Sequence, residues 1–230
     1  MKTIGLIGGM SWESSAVYYR LLNERVGSLL GGSHSCECLM ASVDFDLVER
    51  LQHESKWEEL CHLMREKALK LEEAGAEIIL LCTNTMHVCE SEMIRDLKVP
   101  FLHIADATGE AIVSLGLKQV GLVGTKFTME KDFYSKILKE NYGVDVIIPE
   151  ADDRDLIHQC IYRELVRGEF LPSSKRKFQR IINDLAIKGA QGVILGCTEI
   201  PMLIQQQDVE IPVFDTTSLH VDAALKYALS

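Results

Sequence analysis

The 230-residue sequence lacks several features that would assign a protein to a class at once. No apolar run approaches the roughly 20 residues that a membrane-spanning helix needs. No basic stripe marks a nucleic-acid surface, and the formal net charge is −10. The first residues lack the charged lead and long apolar segment of a secretory signal peptide. We therefore expect a soluble cytoplasmic protein that binds neither nucleic acid nor a membrane.

Motifs for a metal or a dinucleotide are also incomplete. Cys36 and Cys38 are two residues apart, but no second ligand pair has zinc-like spacing, so we expect no metal site. The Gly8-Gly9 turn precedes a predicted helix, yet the full G-x-G-x-x-G fingerprint is absent. The seven cysteines are odd in number and no secretory signal is present, so mostly free thiols are predicted.

The sequence does contain an internal repeat. Gly75-Ala76 recurs 114 residues later at Gly189-Ala190, Ile4 recurs 116 residues later at Val120, and Val99-Pro100 recurs 112 residues later at Ile211-Pro212. Such similar offsets predict an α/β fold of two pseudo-symmetric domains, each a mostly parallel four-stranded sheet flanked by helices. We place the first domain at residues 1–102 plus 210–230 and the second at 103–209. The active site is expected in the cleft between the domains.

Hydrophobic periodicity predicts the local elements of both halves. Strands are predicted near 4–10, 36–44, 99–103, 120–125, 143–148 and 211–215, in addition to two central apolar runs. Helices are predicted over 11–28, 56–71, 153–167 and 173–188, after the first central run to about residue 95, and from 216 onwards. Residues 45–53 are predicted as a loop or short helix.

The two central apolar runs end in polar residues. Val193-Ile194-Leu195-Gly196 precedes Cys197-Thr198-Glu199, and Ile78-Ile79-Leu80-Leu81 precedes Cys82-Thr83-Asn84-Thr85. A buried parallel strand presents such residues at its carboxyl end, where open α/β sheets place their chemistry. The repeat aligns Cys197 with Thr83, and side-chain alternation directs Cys82 into the core. Two opposed acid/base groups suit inversion at a carbon, which needs neither a metal nor a redox cofactor.

Residues 79–87 and 193–201 resemble the two signature motifs of the aspartate/glutamate racemase family, and residues 4–10 resemble its opening strand and turn. This resemblance covers essentially the whole chain. It implies cofactor-independent racemisation of an acidic amino acid by two cysteines in the cleft between the two domains of one chain. It also implies that the protein is a homodimer. Thr83 stands where family members have the first cysteine. Glutamate racemases have a histidine at the position of Glu199. The glutamate found here resembles the aspartate-racemase branch of the family.

The resemblance also implies substrate-binding positions. Backbone amides of Met10 and Ser11 and the side chains of Gln52, Asn84, Thr85 and Thr198 match positions that contact the substrate in the family. Glu199, two residues after Cys197, is also expected among the substrate-binding residues, and Thr125 and Thr128 are expected to close the cleft. Several of these residue types also cap helices, and one residue can both cap a helix and bind the substrate. The basic residues that bind the side-chain carboxylate in aspartate racemases are not clearly matched, with Arg50, Arg163 and Arg167 as candidates.

We therefore predict a PLP-independent isomerase that acts on a small acidic amino acid. Cys197 would remove the α-proton of L-aspartate or L-glutamate, and a proton would return from the Thr83 side, with a kinetic bias to the L-substrate. Three alternatives remain open: a racemase of broader range, a one-cysteine decarboxylase of disubstituted malonates, and a non-catalytic amino-acid-binding protein.

Overall fold

The computed structural model describes all residues from Met1 to Ser230, and the chain forms two compact units. Unit 1 comprises Met1–Ile104 and His220–Ser230, and unit 2 comprises Ala105–Leu219. The boundary expected from the sequence assigns 210–219 to the first domain, but the strand Val213–Asp215 pairs within the sheet of unit 2. That part of the boundary is corrected here.

Unit 1 contains four parallel strands and the helices that follow them. Its strands are β1 (Ile4–Gly8), β2 (Cys38–Ser42), β3 (Ile78–Leu81) and β4 (Phe101–Leu102). Its helices are α1 (Trp12–Leu30), α2 (Phe45–His53), α3 (Trp57–Glu73), a 3-10 helix at Thr85–Cys89 and α4 (Glu90–Met93). The segment left open as a loop or short helix is α2. It forms a helix because the Asp44 side chain caps it by accepting a hydrogen bond from the Asp46 amide.

The sheet of unit 1 has the strand order β2-β1-β3-β4, and its two faces bury separate apolar clusters. Ile79 and Leu81 pack with residues of α2 and α3 on one face, whereas Leu80 and Cys82 pack with residues of α1 on the other. Successive side chains of β3 thus alternate between the faces. The prediction that Cys82 lies in the core is confirmed, since its side chain is fully buried.

Unit 2 repeats this arrangement with a second parallel sheet. Its strands are β5 (Gln119–Gly124), β6 (Asp145–Ile147), β7 (Val193–Gly196) and β8 (Val213–Asp215). In chain order its helices are α5 (Ile104–Ser114), α6 (Lys126–Glu130), α7 (Phe133–Tyr142), α8 (Ala151–Arg163), α9 (Pro172–Ile187) and α10 (Ile200–Leu203). The last helix, α11 (Thr216–Ala228), begins in unit 2 and continues into unit 1. Short 3-10 helices occupy Leu165–Arg167 and Gln206–Asp208.

The strand order of unit 2, β6-β5-β7-β8, matches that of unit 1 position for position. The predicted α/β class, with two four-stranded parallel sheets flanked by helices, is confirmed. The last helix also follows the prediction, because Val221 and Leu225 of α11 belong to the core of unit 1. None of the helices has the length and apolar character that crossing a membrane requires.

Candidate active site

The carboxyl end of β1 in unit 1 is a tight turn held by serine hydroxyls. Gly9 has φ +91°, and a Cβ there would overlap the Val43 carbonyl, so only glycine fits. Ser11 is the N-cap of α1, and its hydroxyl accepts a hydrogen bond from the Ser14 amide. The Ser15 hydroxyl accepts from the Gly9 amide at 2.7 Å and donates to the Ser11 carbonyl at 3.1 Å. These contacts fix the backbone course of the turn between β1 and α1.

The carboxyl end of β3 lies beside this turn. The Ser14 hydroxyl lies 3.3 Å from the Cys82 carbonyl and 3.2 Å from the Ser11 carbonyl, so it joins the two loops. Asn84 and Thr85 are buried at the start of the 3-10 helix. Sequence reasoning missed this role of Ser14, for which the only local signal was a pair of serines in the first turn of α1.

Strand register decides which residue of unit 1 corresponds to Cys197. Ile7 pairs with Leu81 in the first sheet, and Val123 pairs with Leu195 in the second. Thr83 follows Leu81 by two positions, and Cys197 follows Leu195 by the same two. The sheets thus reproduce the offset of 114 residues found in the sequence, and Thr83 rather than Cys82 is the counterpart of Cys197.

Two further predicted residues of unit 1 contact the segment after Thr85. Gln52 of α2 is buried, and its amide nitrogen donates to the Met86 sulfur at 3.3 Å. The Met10 side chain is part of the apolar cluster that also contains Leu51 and Met86. The predicted role of the Met10 backbone amide stays a prediction.

In unit 2, polar residues follow two neighbouring strands. Gly124 of β5 pairs with Gly196 of β7, so Thr125 and Cys197 come next at the same edge of the sheet. Thr125 caps α6 by accepting from the Thr128 amide at 3.2 Å, and the two hydroxyl oxygens lie 3.1 Å apart. Both threonines are buried. The structure therefore assigns them a capping contact.

The Cys197 thiol is in contact with a carboxylate. Its Sγ donates to Glu199 Oε2 at 2.9 Å, and the Thr198 hydroxyl donates to the same oxygen at 2.8 Å. All three side chains are buried. Burial raises the pKa of Cys197 well above its ordinary value, and the charge and hydrogen bond of Glu199 raise it further, while the backbone amides of Glu199 and Thr198 oppose the rise. The thiol thus keeps its proton near neutral pH and has an acceptor for it at hydrogen-bond distance.

No lysine or arginine is among the buried residues of either unit. Arg50, one of the candidates for the side-chain carboxylate, is exposed and lies 3.7 Å from Glu54 in an ion pair. Arg163 and Arg167 are also exposed. The buried polar side chains near the strand ends carry hydroxyls, amides, imidazoles and one carboxylate.

The other cysteines divide into a disulfide and free thiols. Cys61 of α3 and Cys89 of the 3-10 helix are bonded, and the remaining five are free, including Cys36 and Cys38. The prediction of mostly free thiols therefore has one exception. The hydrogen bond from the Cys36 thiol lowers the pKa of the half-buried Cys38 to about 7, although burial acts in the opposite direction.

Two α/β units with one strand order, and with Thr83 and Cys197 at equivalent strand ends, define a duplicated two-unit α/β protein. A sequence profile of the Asp/Glu/Hydantoin racemase family matches residues 7–224. The chain belongs to that family.

Relatives of known sequence or structure agree with this assignment. The Broad specificity amino-acid racemase RacX of Bacillus subtilis (strain 168) is 25% identical over 220 residues, which cover 94% of this chain and 93% of RacX. A candidate Asp/Glu racemase from Yersinia pestis, known from its crystal structure, is 45% identical with a TM-score of 0.92. An aspartate racemase homologue from Pyrococcus horikoshii OT3 is 35% identical with a TM-score of 0.86. Both structural matches cover 100% of each chain.

Proposed function

We propose that the protein is an amino-acid racemase that uses neither PLP nor another cofactor and inverts Cα of L-aspartate or L-glutamate. Cys197 removes the α-proton of the L-substrate, and the carbanion that forms receives a proton on its opposite face from the Thr83 side. One proton leaves Cα and one returns, so no oxidant or reductant is consumed. Membership of the racemase family supports this chemistry, and the matched register positions of Thr83 and Cys197 support their assignment to the two faces.

The 2.9 Å hydrogen bond between Cys197 Sγ and Glu199 Oε2 is the observation on which the mechanism depends. A buried thiol with a raised pKa is a poor base while it keeps its proton. Glu199 accepts that proton, and the sulfur can then take another from Cα. The proton on Glu199 passes to solvent, and the Thr83 side regains from solvent the proton that it gives to Cα. The backbone amides of Thr198 and Glu199 stabilise the charge on the sulfur in the meantime.

Thr83 supplies a proton less readily than a cysteine would. Its hydroxyl ionises far above neutral pH, so it can hold or pass a proton, directly or through water, but is a very weak base. Removal of the α-proton of a D-substrate from this side is therefore slow. Since catalysis leaves the L/D equilibrium unchanged, the preference for the L-enantiomer is a matter of rates alone.

The second candidate is a racemase with a broader substrate range. The absence of a buried lysine or arginine favours it, because a fixed cation is the usual partner of a second carboxylate. The name of RacX, a broad-specificity racemase similar to this chain over nearly its whole length, points in the same direction. Hydroxyls and amides such as Gln52 would then accept both acidic and neutral side chains.

The proposal is tested by proton exchange at Cα. Incubation with L-aspartate in D2O should replace the Cα proton by deuterium, as followed by NMR, and Cys197→Ser should abolish the exchange. Cys160→Ser is the matched control, because Cys160 is another buried free cysteine of unit 2 whose thiol contacts Glu164 instead.

The same assay separates the alternatives. Parallel incubations with L-glutamate, L-alanine and L-serine decide between an acidic and a broad range. Carbon dioxide release from a disubstituted malonate, without amino-acid exchange, would identify a decarboxylase. Binding of an amino acid without exchange would identify a binding protein, and undiminished exchange in Cys197→Ser would remove Cys197 from the mechanism.

We also propose that the chain forms a homodimer. The family resemblance implies one, and an exposed aromatic face of α1 supports it. Trp12 and Tyr19 are 69% and 53% exposed and are separated by two helical turns, so they lie on one side of the helix.

A further inference from the structure

We propose that His87 is a positioning residue that fixes Thr83 at the end of β3 through a neutral imidazole with its proton on Nδ1. This inference depends on the proposed function, because it concerns the return of a proton from the Thr83 side. His87 lies in the 3-10 helix, four residues after Thr83, and is fully enclosed in unit 1.

The two ring nitrogens of His87 face partners of opposite kinds. Nδ1 lies 2.8 Å from the Thr83 carbonyl oxygen, and Nε2 lies 3.2 Å from the backbone nitrogen of Ile104. A carbonyl oxygen only accepts, and a backbone amide only donates. The proton is therefore on Nδ1, and Nε2 is the acceptor.

The neighbours of His87 oppose a second proton on the ring. Its centroid lies 4.4 Å from that of His103 and 5.9 Å from that of His220. Burial lowers the pKa of His87 well below its ordinary value, and the two neighbouring imidazoles lower it further, while backbone hydrogen bonds oppose this effect. A proton on Nε2 would also face the Ile104 N–H. The ring is thus held in the one form that bonds Thr83 and Ile104 together.

The bonds around Thr83 determine the direction of its side chain. Ser14 holds the preceding carbonyl, that of Cys82, and His87 holds the carbonyl of Thr83 itself. The Thr83 amide donates to the Leu81 carbonyl at 2.9 Å. Loss of the His87 bond frees only the backbone that leads from Thr83 into the 3-10 helix. Thr83 should therefore lose its orientation while β3 keeps its register.

Two substitutions separate the two bonds of the imidazole. The amide of asparagine overlaps the Nδ1 position, so His87→Asn can still donate to the Thr83 carbonyl. The amide of glutamine reaches the Nε2 position, so His87→Gln keeps the contact with Ile104 but leaves the Thr83 carbonyl without its donor. His220→Gln is the control, because His220 belongs to the same cluster but bonds the Tyr18 hydroxyl and the Leu102 carbonyl.

The measured quantity is the ratio of inversion to exchange. With L-aspartate in D2O, Cys197 can return deuterium to its own face and give deuterated L-aspartate, whereas delivery from the Thr83 side gives D-aspartate. His87→Gln should lower the ratio of D-product to Cα exchange about tenfold, the factor that one hydrogen bond of ordinary strength is worth. His87→Asn and His220→Gln should leave the ratio within about twofold of the unmodified protein, even where stability falls, because both leave the Thr83 carbonyl bonded.

The outcomes distinguish this inference from the proposed function. An unchanged ratio in His87→Gln, with exchange retained, would overturn the positioning role and leave the racemase proposal intact. Absence of exchange in the unmodified protein would overturn both. Should His87→Gln fail to fold, ¹⁵N NMR of the unmodified protein at pH 7 still decides, since a proton on Nε2 of His87 would contradict the inference and an unprotonated Nε2 would support it.

Discussion

Thr83 and Cys197 occupy equivalent strand ends but differ in acidity. The Cys197 thiol donates to a carboxylate, whereas Thr83 offers a hydroxyl that does not ionise near neutral pH. The proposed reaction therefore has a strong base on one face of Cα and a weak one on the other. Two substitutions test this asymmetry.

Thr83→Cys should accelerate turnover of D-aspartate. A thiol on this side can remove the α-proton of the D-enantiomer, and a positioned base of suitable pKa typically contributes about a hundredfold or more. Initial rates with D-aspartate, measured by chiral chromatography, give the gain. Cys82→Ser, next to Thr83 but buried in the core, should show none, and a folded Thr83→Cys protein without gain would refute the assignment.

Glu199→Gln should lower kcat/KM near neutral pH by about a hundredfold, because a carboxamide cannot accept the thiol proton. The substitution also removes the negative charge that raises the pKa of Cys197. The sulfur must then ionise alone, so activity should rise with pH as the thiolate forms. Profiles of kcat/KM from pH 6 to 10 make the comparison, and superimposable profiles for the two proteins would exclude Glu199 as the acceptor.

The packing of β4, α11 and the 3-10 helix of unit 1 makes its stability depend on pH. Burial lowers the pKa of His103 to about 3 and that of His220 to about 4, and it also lowers the pKa of His87. In the unfolded chain these residues bind protons below their ordinary value of 6.5. Stability is therefore highest above pH 6.5 and is lost as the pH falls towards the folded-state values.

Each buried histidine should lower the free energy of unfolding by ~1.4 kcal/mol per pH unit within this window. Urea unfolding at pH 7, 6 and 5 measures the slope. His220→Gln should reduce the slope by the contribution of one proton. Equal slopes in the two proteins would show that His220 binds its proton as readily in the folded state as in the unfolded chain.

Local sequence patterns predicted most helices and strands, but not where one predicted helix is divided into two. The helices predicted over 11–28 and 56–71 are observed as α1 and α3, and Gly75, with φ +101°, follows the end of α3. The helix predicted to run to about residue 95 is instead a 3-10 helix followed by α4. The helix α5 was not predicted, and the Ile104 amide at its start bonds to His87, a residue 17 positions earlier.

At the scale of the whole molecule, the repeat predicted the duplicated sheets and the pairing of Thr83 with Cys197. The expected domain boundary misplaced residues 210–219, although the repeat itself aligns Ile211-Pro212 with Val99-Pro100, and each pair precedes the last strand of its sheet. The contact between Cys197 and Glu199 could not be predicted either, because the sequence gives their spacing of two residues but not the orientation of their side chains. Periodicity predicts which face a side chain occupies, but long-range packing decides what it contacts.

The proposed homodimer predicts a particle of twice the mass of one chain at micromolar concentration. Light scattering after size exclusion measures this mass. Trp12→Glu should shift the population towards single chains, because it places a charge on an exposed apolar face. Arg20→Glu, an exposed charged position on α1, is the comparison. A single-chain mass for the unmodified protein would contradict the homodimer, and a dimer unaffected by Trp12→Glu would exclude this face of α1.

The pair of thiols at the start of β2 has a practical consequence for inhibitor chemistry. Cys38, with a pKa of about 7, is more acidic than Cys197, whose pKa is raised. Haloacetamides and similar electrophiles attack thiolates, so at neutral pH they should alkylate Cys38 before they reach Cys197. The total number of alkylated sulfurs would then mainly report Cys38, which takes no part in the proposed chemistry. Covalent screening against this enzyme therefore needs a Cys38→Ser variant or peptide-level mapping of the adduct.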